Sequence, residues 1–130
     1  MQSSEANFWK MIRRNTKKLG IHWVRVENGC EPGTPDVNGC FQGHEVWIEL
    51  KIAKANKVNL SPEQVIWLHR RAAHSGRAWI LCQKDNDIRC WAAHKAALVK
   101  ENGWKYSPDY EWSREKNAFP WLEIVATLFK

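Results

Sequence analysis

A chain of 130 residues and 15.2 kDa suits one domain with a sizeable core, and a hydrophobic fraction of 44% excludes disorder. No apolar run approaches the ~20 residues of a membrane span, and residues 1–5 lack the apolar stretch of a signal peptide, so a cytoplasmic protein is expected. With 20 Lys plus Arg against 14 Asp plus Glu, a charge of +6 and a pI near 9.3, nucleic acid is a natural partner, although many small basic proteins have no polyanionic one.

Ser3 or Ser4 caps a first predicted helix running to about Leu19, with Gly20 as its stop. Phe8, Met11, Ile12 and Leu19 keep helical spacing with Trp9 beside them, while Lys10, Arg13, Arg14, Lys17 and Lys18 cover much of the rest. A basic amphipathic helix of this kind serves either as a solvated outer face or as a DNA-facing one. Residues 21–27 alternate as a strand, with Val24 and Val26 on one side. Gly29, Pro32 and Gly33 punctuate the next stretch, before a short strand at 35–38 and a turn over 39–43. Residues 44–52 read as a buried strand. The two-residue period puts Glu45, Trp47, Glu49 and Lys51 on one face and Val46, Ile48, Leu50 and Ile52 on the other.

A loop with Lys54 and Lys57 leads to Ser61-Pro62-Glu63-Gln64, a strong helix start with Ser as N-cap and Gln at the third position. Val65, Ile66, Leu68 and Ala72 give that helix an apolar side, and Gly76 is read as its end. Strands follow at 78–83 and 88–92, giving the order αβββαββ around one mixed sheet. Beyond residue 92 the pattern predicts a helix at 94–100, an irregular stretch at 104–116 and a last apolar helix over 117–130. The whole is expected to be one domain, with 1–92 as core and 93–130 as a C-terminal extension.

The chemistry concentrates in Pro35-Asp36 and Glu49-Leu50-Lys51. Phosphodiester cleavage uses a cation to neutralise developing charge and to lower the pKa of the attacking water. Mg²⁺ is commonly held by one or two carboxylates and keeps several waters, and a neighbouring lysine can stabilise the transition state. Cys30, Cys40, Cys82 and Cys90 form no Cys-x-x-Cys pair, which favours reduced, buried thiols over zinc. The five histidines form no spaced ligand set. The glycines of 29–43 lack the Lys-Ser/Thr of a P-loop, so no nucleotide cofactor is expected. Most of the nine tryptophans fall in apolar runs and are expected to fill the core.

The Gly-Thr-Pro-Asp turn, the strand ending Ile48-Glu49-Leu50-Lys51, the Ser-Pro-Glu-Gln helix and the order of elements resemble the PD-(D/E)XK nuclease superfamily over roughly residues 3–92. Within it, the chain looks most like the VRR-NUC and Holliday-junction-resolvase-like branch. The resemblance implies a restriction-endonuclease-like α/β core and an Mg²⁺- or Mn²⁺-dependent endonuclease acting on branched DNA. It makes Asp36 and Glu49 the metal carboxylates, the Leu50 carbonyl a further ligand, Lys51 the catalytic lysine and Gln64 a support of the site. Glu5 falls where some resolvase-like members place another acidic residue, though a helix N-terminus favours a negative charge in any case. Lys10, Arg13, Arg14, Lys17, Lys54 and Lys57 are the candidate DNA contacts. The branch also implies a homodimer, for which the apolar tail offers an interface or, equally, simple core packing. A monomeric flap or nicking nuclease and a non-catalytic DNA-binding module are the alternatives.

Overall fold

The computed structural model describes residues 4–26 and 31–130. Six strands form one mixed sheet in which spatial order equals sequence order. They are β1 (His22–Arg25), β2 (Val37–Phe41), β3 (His44–Ile52), β4 (Ala78–Lys84), β5 (Asp87–Ala92) and β6 (Tyr110–Ser113). Neighbours pair antiparallel except β3 and β4, which run parallel from Trp47↔Ala78 to Ile52↔Gln83. A parallel pair needs a crossover, and helix α2 (Pro62–Ala73) supplies it.

Helices α1 (Glu5–Thr16) and α4 (Trp121–Leu128) cover one face of the sheet, where Phe8, Trp9, Ile12, Ile124, Val125 and Leu128 meet Val46, Ile48, Leu50 and Leu81. The opposite face carries α2 and α3 (Ala96–Asn102), packed through Leu68, Ala96 and Val99 onto Ile80, Cys82 and Trp91. The predicted alternation of β3 is therefore observed. Its even residues enter the α1–α4 core, while Trp47 packs on the α2 side and Glu49 is buried. Ser4 caps α1 through Asn7 N–H, and Gly20 ends the following turn at φ +78. Trp9, Trp91 and Trp112 are buried, and the other six tryptophans are half-buried. Among the described residues no helix is long and apolar enough to cross a membrane.

Several boundaries differ from the sequence pattern, each for a tertiary reason. Gly39, Cys40 and Phe41 belong to β2, not to a turn. A Cβ on Gly39 would lie 2.6 Å from the Trp23 ring and 2.8 Å from Phe129, so this glycine serves close packing. The turn itself is only Gln42 and Gly43, both at positive φ as a two-residue hairpin prefers. Ser75 at φ +61, rather than Gly76, makes the left-handed step after α2, and Gly76 instead makes room for Arg71. Ile66 is 56% exposed while Trp67 packs inward in its place. Val24 is 43% exposed.

The stretch 104–116 contains β6, paired with β5 from Asp87↔Ser113 to Cys90↔Tyr110. A tight turn with a Glu115↔Ala118 bridge precedes α4, which is shorter than the predicted last helix. The segment beyond residue 92 thus supplies a strand of the sheet and part of the core. Cys82 and Cys90 are buried thiols and Cys40 is half-buried. Ser3, the end of the predicted first strand at Glu27, and Asn28, Gly29 and Cys30 lie outside the described residues.

Candidate active site

Asp36 and Glu49 meet where β2 and β3 part. The β2–β3 ladder runs from Phe41↔His44 to Val37↔Ile48, so β3 continues beyond the start of β2. Asp36 fills the next rung with its side chain, as its Oδ2 accepts from the Leu50 N–H at 2.9 Å. Its backbone carbonyl accepts from Val26 N–H at 2.8 Å, which ties the residue to β1's end as well. A strand residue directs its N–H and its C=O to the same neighbour. The Leu50 carbonyl therefore projects toward the edge occupied by Asp36.

Glu49 is 1% exposed, on the α2 side of β3. Lys51 Nζ lies 3.6 Å from its Oε2, and Gln64 Nε2 donates to the same oxygen at 3.0 Å. Gln64 is held in turn by the α2 cap. Its Oε1 accepts from Ser61 N–H at 2.9 Å while its own N–H donates to Ser61 Oγ at 3.1 Å. A capping box normally completes a helix end. Here the same glutamine reaches across to a buried carboxylate, joining α2 to β3.

Glu49 Oε1 is buried with no hydrogen-bond partner. Burial first, and the neighbouring Asp36 charge second, push the Glu49 carboxyl up to about 9, against the opposing pull of Lys51. Burial and the nearby Asp36 charge both favour the protonated form of Glu49, and its buried Oε1 has no donor to stabilise the ionised form. Such a pair is stabilised by a cation. The donors are hard oxygens from two carboxylates and one strand carbonyl, the set that suits Mg²⁺ or Mn²⁺. Asp36, Glu49 and Leu50 therefore fit a divalent ion.

Among the described residues no third Asp, Glu, His or Cys joins this pair in a cluster. Glu5 is exposed in the first turn of α1, which its charge favours as a helix N-terminus. Of the expected site residues, Asp36, Glu49, Leu50, Lys51 and Gln64 come together; among the described residues Glu5 joins no cluster of three such side chains, while its charge and that of Lys51 both act on Cys82.

Gly33, which the sequence offers as punctuation and as the first residue of the Gly-Thr-Pro-Asp turn, has a further role in packing. At φ +86 it lies so close to α2 that a Cβ would come within 2.2 Å of the Glu63 carbonyl oxygen. That contact sets the segment leading to Asp36 against the helix carrying Gln64. Only the three-dimensional approach reveals it, because Gly33 and Glu63 are remote in sequence.

The basic residues occupy two places. Lys10, Arg13 and Arg14 on α1 and Lys17 just after it are exposed and line a groove with Ile21, His22 and Trp23. None of the four is in an ion pair among the described residues. Lys54 and Lys57 are exposed in the turn that follows β3, beyond Lys51.

No family model matches the chain, and no curated protein matches it in sequence. Among solved structures it is similar to Hjc of Archaeoglobus fulgidus, described as a Holliday junction resolvase from an archaeal hyperthermophile. The TM-score is 0.53 at 17% identity, covering 88% of this chain and 84% of that one. At this identity the likeness establishes the fold, a mixed sheet flanked by helices like the core of a resolvase nuclease.

Proposed function

We propose that the chain is a divalent-metal-dependent endodeoxyribonuclease of the PD-(D/E)XK type, close to the VRR-NUC and resolvase-like branch, that hydrolyses phosphodiesters of branched DNA. The observation that carries this reading is the buried Glu49 carboxyl beside Asp36, with its Oε1 unpartnered and its Oε2 held by Lys51 and Gln64. A purely structural carboxylate pair would be costly in this position, whereas a cation-binding pair is stabilised when loaded. The similarity to a resolvase supports the choice of substrate class.

Asp36, Glu49 and the Leu50 carbonyl would hold Mg²⁺ or Mn²⁺, which supplies charge neutralisation and an acidified water. Lys51, 12% exposed at its side chain, is placed to orient the attacking water or to stabilise charge on the phosphoryl oxygens. Gln64 holds the Glu49 carboxylate in one orientation. The lysines and arginines of α1 and of the turn after β3 bind the flanking phosphates.

A homodimer would let two sites cut opposed strands of a junction. In the tail that offers an interface, Ile124, Val125, Leu128 and Phe129 are buried in the core while Leu122 is 72% exposed. That burial favours, as a second reading, a monomer acting on flaps or nicking one strand. The test is incubation with Mg²⁺ of labelled four-way junction, flap, splayed arm, single strand and duplex. Asp36→Asn and Glu49→Gln are expected to abolish cleavage, and Lys51→Ala to slow it by at least ~10²-fold. Near-normal cleavage by either carboxylate variant would sink the assignment. Sedimentation at micromolar concentration with junction DNA separates the dimer from the monomer.

A further inference from the structure

The connection from β3 to α2 joins the strand that carries Lys51 to the helix that carries Gln64, and the later part of the chain grips it at two points. Asn56 is the first. Its backbone carbonyl accepts from Trp104 N–H at 2.7 Å, its Oδ1 accepts from Lys105 N–H at 2.8 Å, and its Nδ2 donates to the Asn102 carbonyl at 2.8 Å. The approach is so close that a Cβ on Gly103 would lie 2.0 Å from the Asn56 carbonyl oxygen. Lys100 is the second point, where Nζ donates to the Leu60 carbonyl beside the helix cap. Val58 and Leu60, between these points, are buried.

Within this brace, Lys54 and Lys57 exchange backbone hydrogen bonds of 3.0 and 2.9 Å around a two-residue turn, with Ala55 at φ +53. A residue with a side chain keeps that conformation where its surroundings enforce it. Lys54, Lys57 and Lys105 are exposed, and none is in an ion pair among the described residues. Like charges fixed on one short turn repel one another, and a polyanion relieves that repulsion. Lys54 lies three residues past Lys51, about 10 Å at strand rise, so the turn begins where a strand leaving the site would pass.

We propose that Lys54, Lys57 and Lys105 form one rigid ledge for the phosphate backbone of the DNA strand next to the cleaved phosphate, with Asn56 as the positioning residue that holds it in register with Lys51. The segment beyond residue 92 then takes part in substrate binding. The inference rests on the nuclease reading for the identity of the strand. Rigidity matters because a preformed site loses less entropy on binding than mobile lysines would.

The test measures DNA binding in EDTA by fluorescence anisotropy at several salt concentrations, with cleavage in Mg²⁺ read separately. Lys105→Ala is expected to weaken binding and to flatten the slope of log affinity against log salt by about 0.9 for duplex. Asn56→Ala removes no charge. It is expected to weaken binding, to raise KM more than it lowers kcat, and to add little to Lys105→Ala in a double-mutant cycle. Unchanged affinity and slope in Lys105→Ala would overturn the ledge, and additive losses would overturn the role of Asn56. Lys105 is exposed, so its variant keeps the test decisive even if Asn56→Ala fails to fold. Salt-dependent binding through Lys105 without cleavage by the intact protein would overturn the nuclease reading and leave the ledge standing; cleavage with Lys105 silent would do the reverse.

Discussion

Glu49 answers to two opposed demands under the proposed function, since burial favours its neutral form and the proposed metal binding would require its charge. Unfolded, the group titrates near 4.5; folded and metal-free, near 9. Between those values the folded state holds the extra proton, so metal-free stability falls as pH rises from about 4.5 to about 9 and then levels. Glu49→Gln removes this slope. In EDTA the variant is expected to melt several degrees above wild type at pH 8.5, with a smaller difference near pH 5. Mn²⁺ affinity of the wild type should tighten with rising pH as the competing proton is lost. Parallel melting profiles of the two proteins across this range would show that Glu49 is not held neutral by burial.

At the scale of elements, the site depends on three pieces being held together: the segment before β2, the later half of β3 and the first turn of α2. Gly33 sets the first against the third. Gly33→Ala meets both a left-handed backbone and the Glu63 carbonyl. The expected cost is about 2 kcal/mol or more, with a Tm lower by about 5 °C or more and cleavage reduced beyond what lost folding explains. Wild-type stability and activity in this variant would release Gly33 from that role. What was legible in the sequence here were the local patterns. The alternation of β3 placed Glu49 and Lys51 on one face, and Ser61 with Gln64 announced the cap. The Asp36–Leu50 rung, the close approach of Gly39 to Trp23 and the brace at Asn56 join residues far apart in sequence, and no local pattern encodes them. Strand β6 escaped for a related reason. Its four residues alternate correctly, but Pro108 and the surrounding charges mask them until β5 supplies the partner.

For the molecule as a whole, α4 is the piece whose position most changes the expectation. Four of its side chains and that of its C-cap lie in or beside the core, including Ile124, Val125, Leu128 and Phe129, each at most 4% exposed. Burial of four such groups contributes about 6–12 kcal/mol, comparable to the ~5–15 kcal/mol net stability of a whole domain. A chain truncated before Trp121 is therefore expected to lose cooperative unfolding in circular dichroism. A folded, monomeric truncation would return the tail to the role of an interface.

The identity of strand order and chain order has a kinetic meaning. Each strand pairs with its neighbour along the chain, so sheet assembly closes no loop longer than the α2 crossover of residues 53–77, while docking α4 beside α1 closes nearly the whole chain. Substitutions in α4 such as Leu128→Ala should accordingly speed unfolding and leave the refolding rate nearly unchanged, and those in β3–β4 such as Ile80→Val should slow refolding. Stopped-flow chevrons for the two variants would reveal the order, and slower refolding in the α4 variant would reverse it. On a ribosome the same order means that residues 36–64, which carry the acid pair and its glutamine, are synthesised well before the helix that closes the core beneath them.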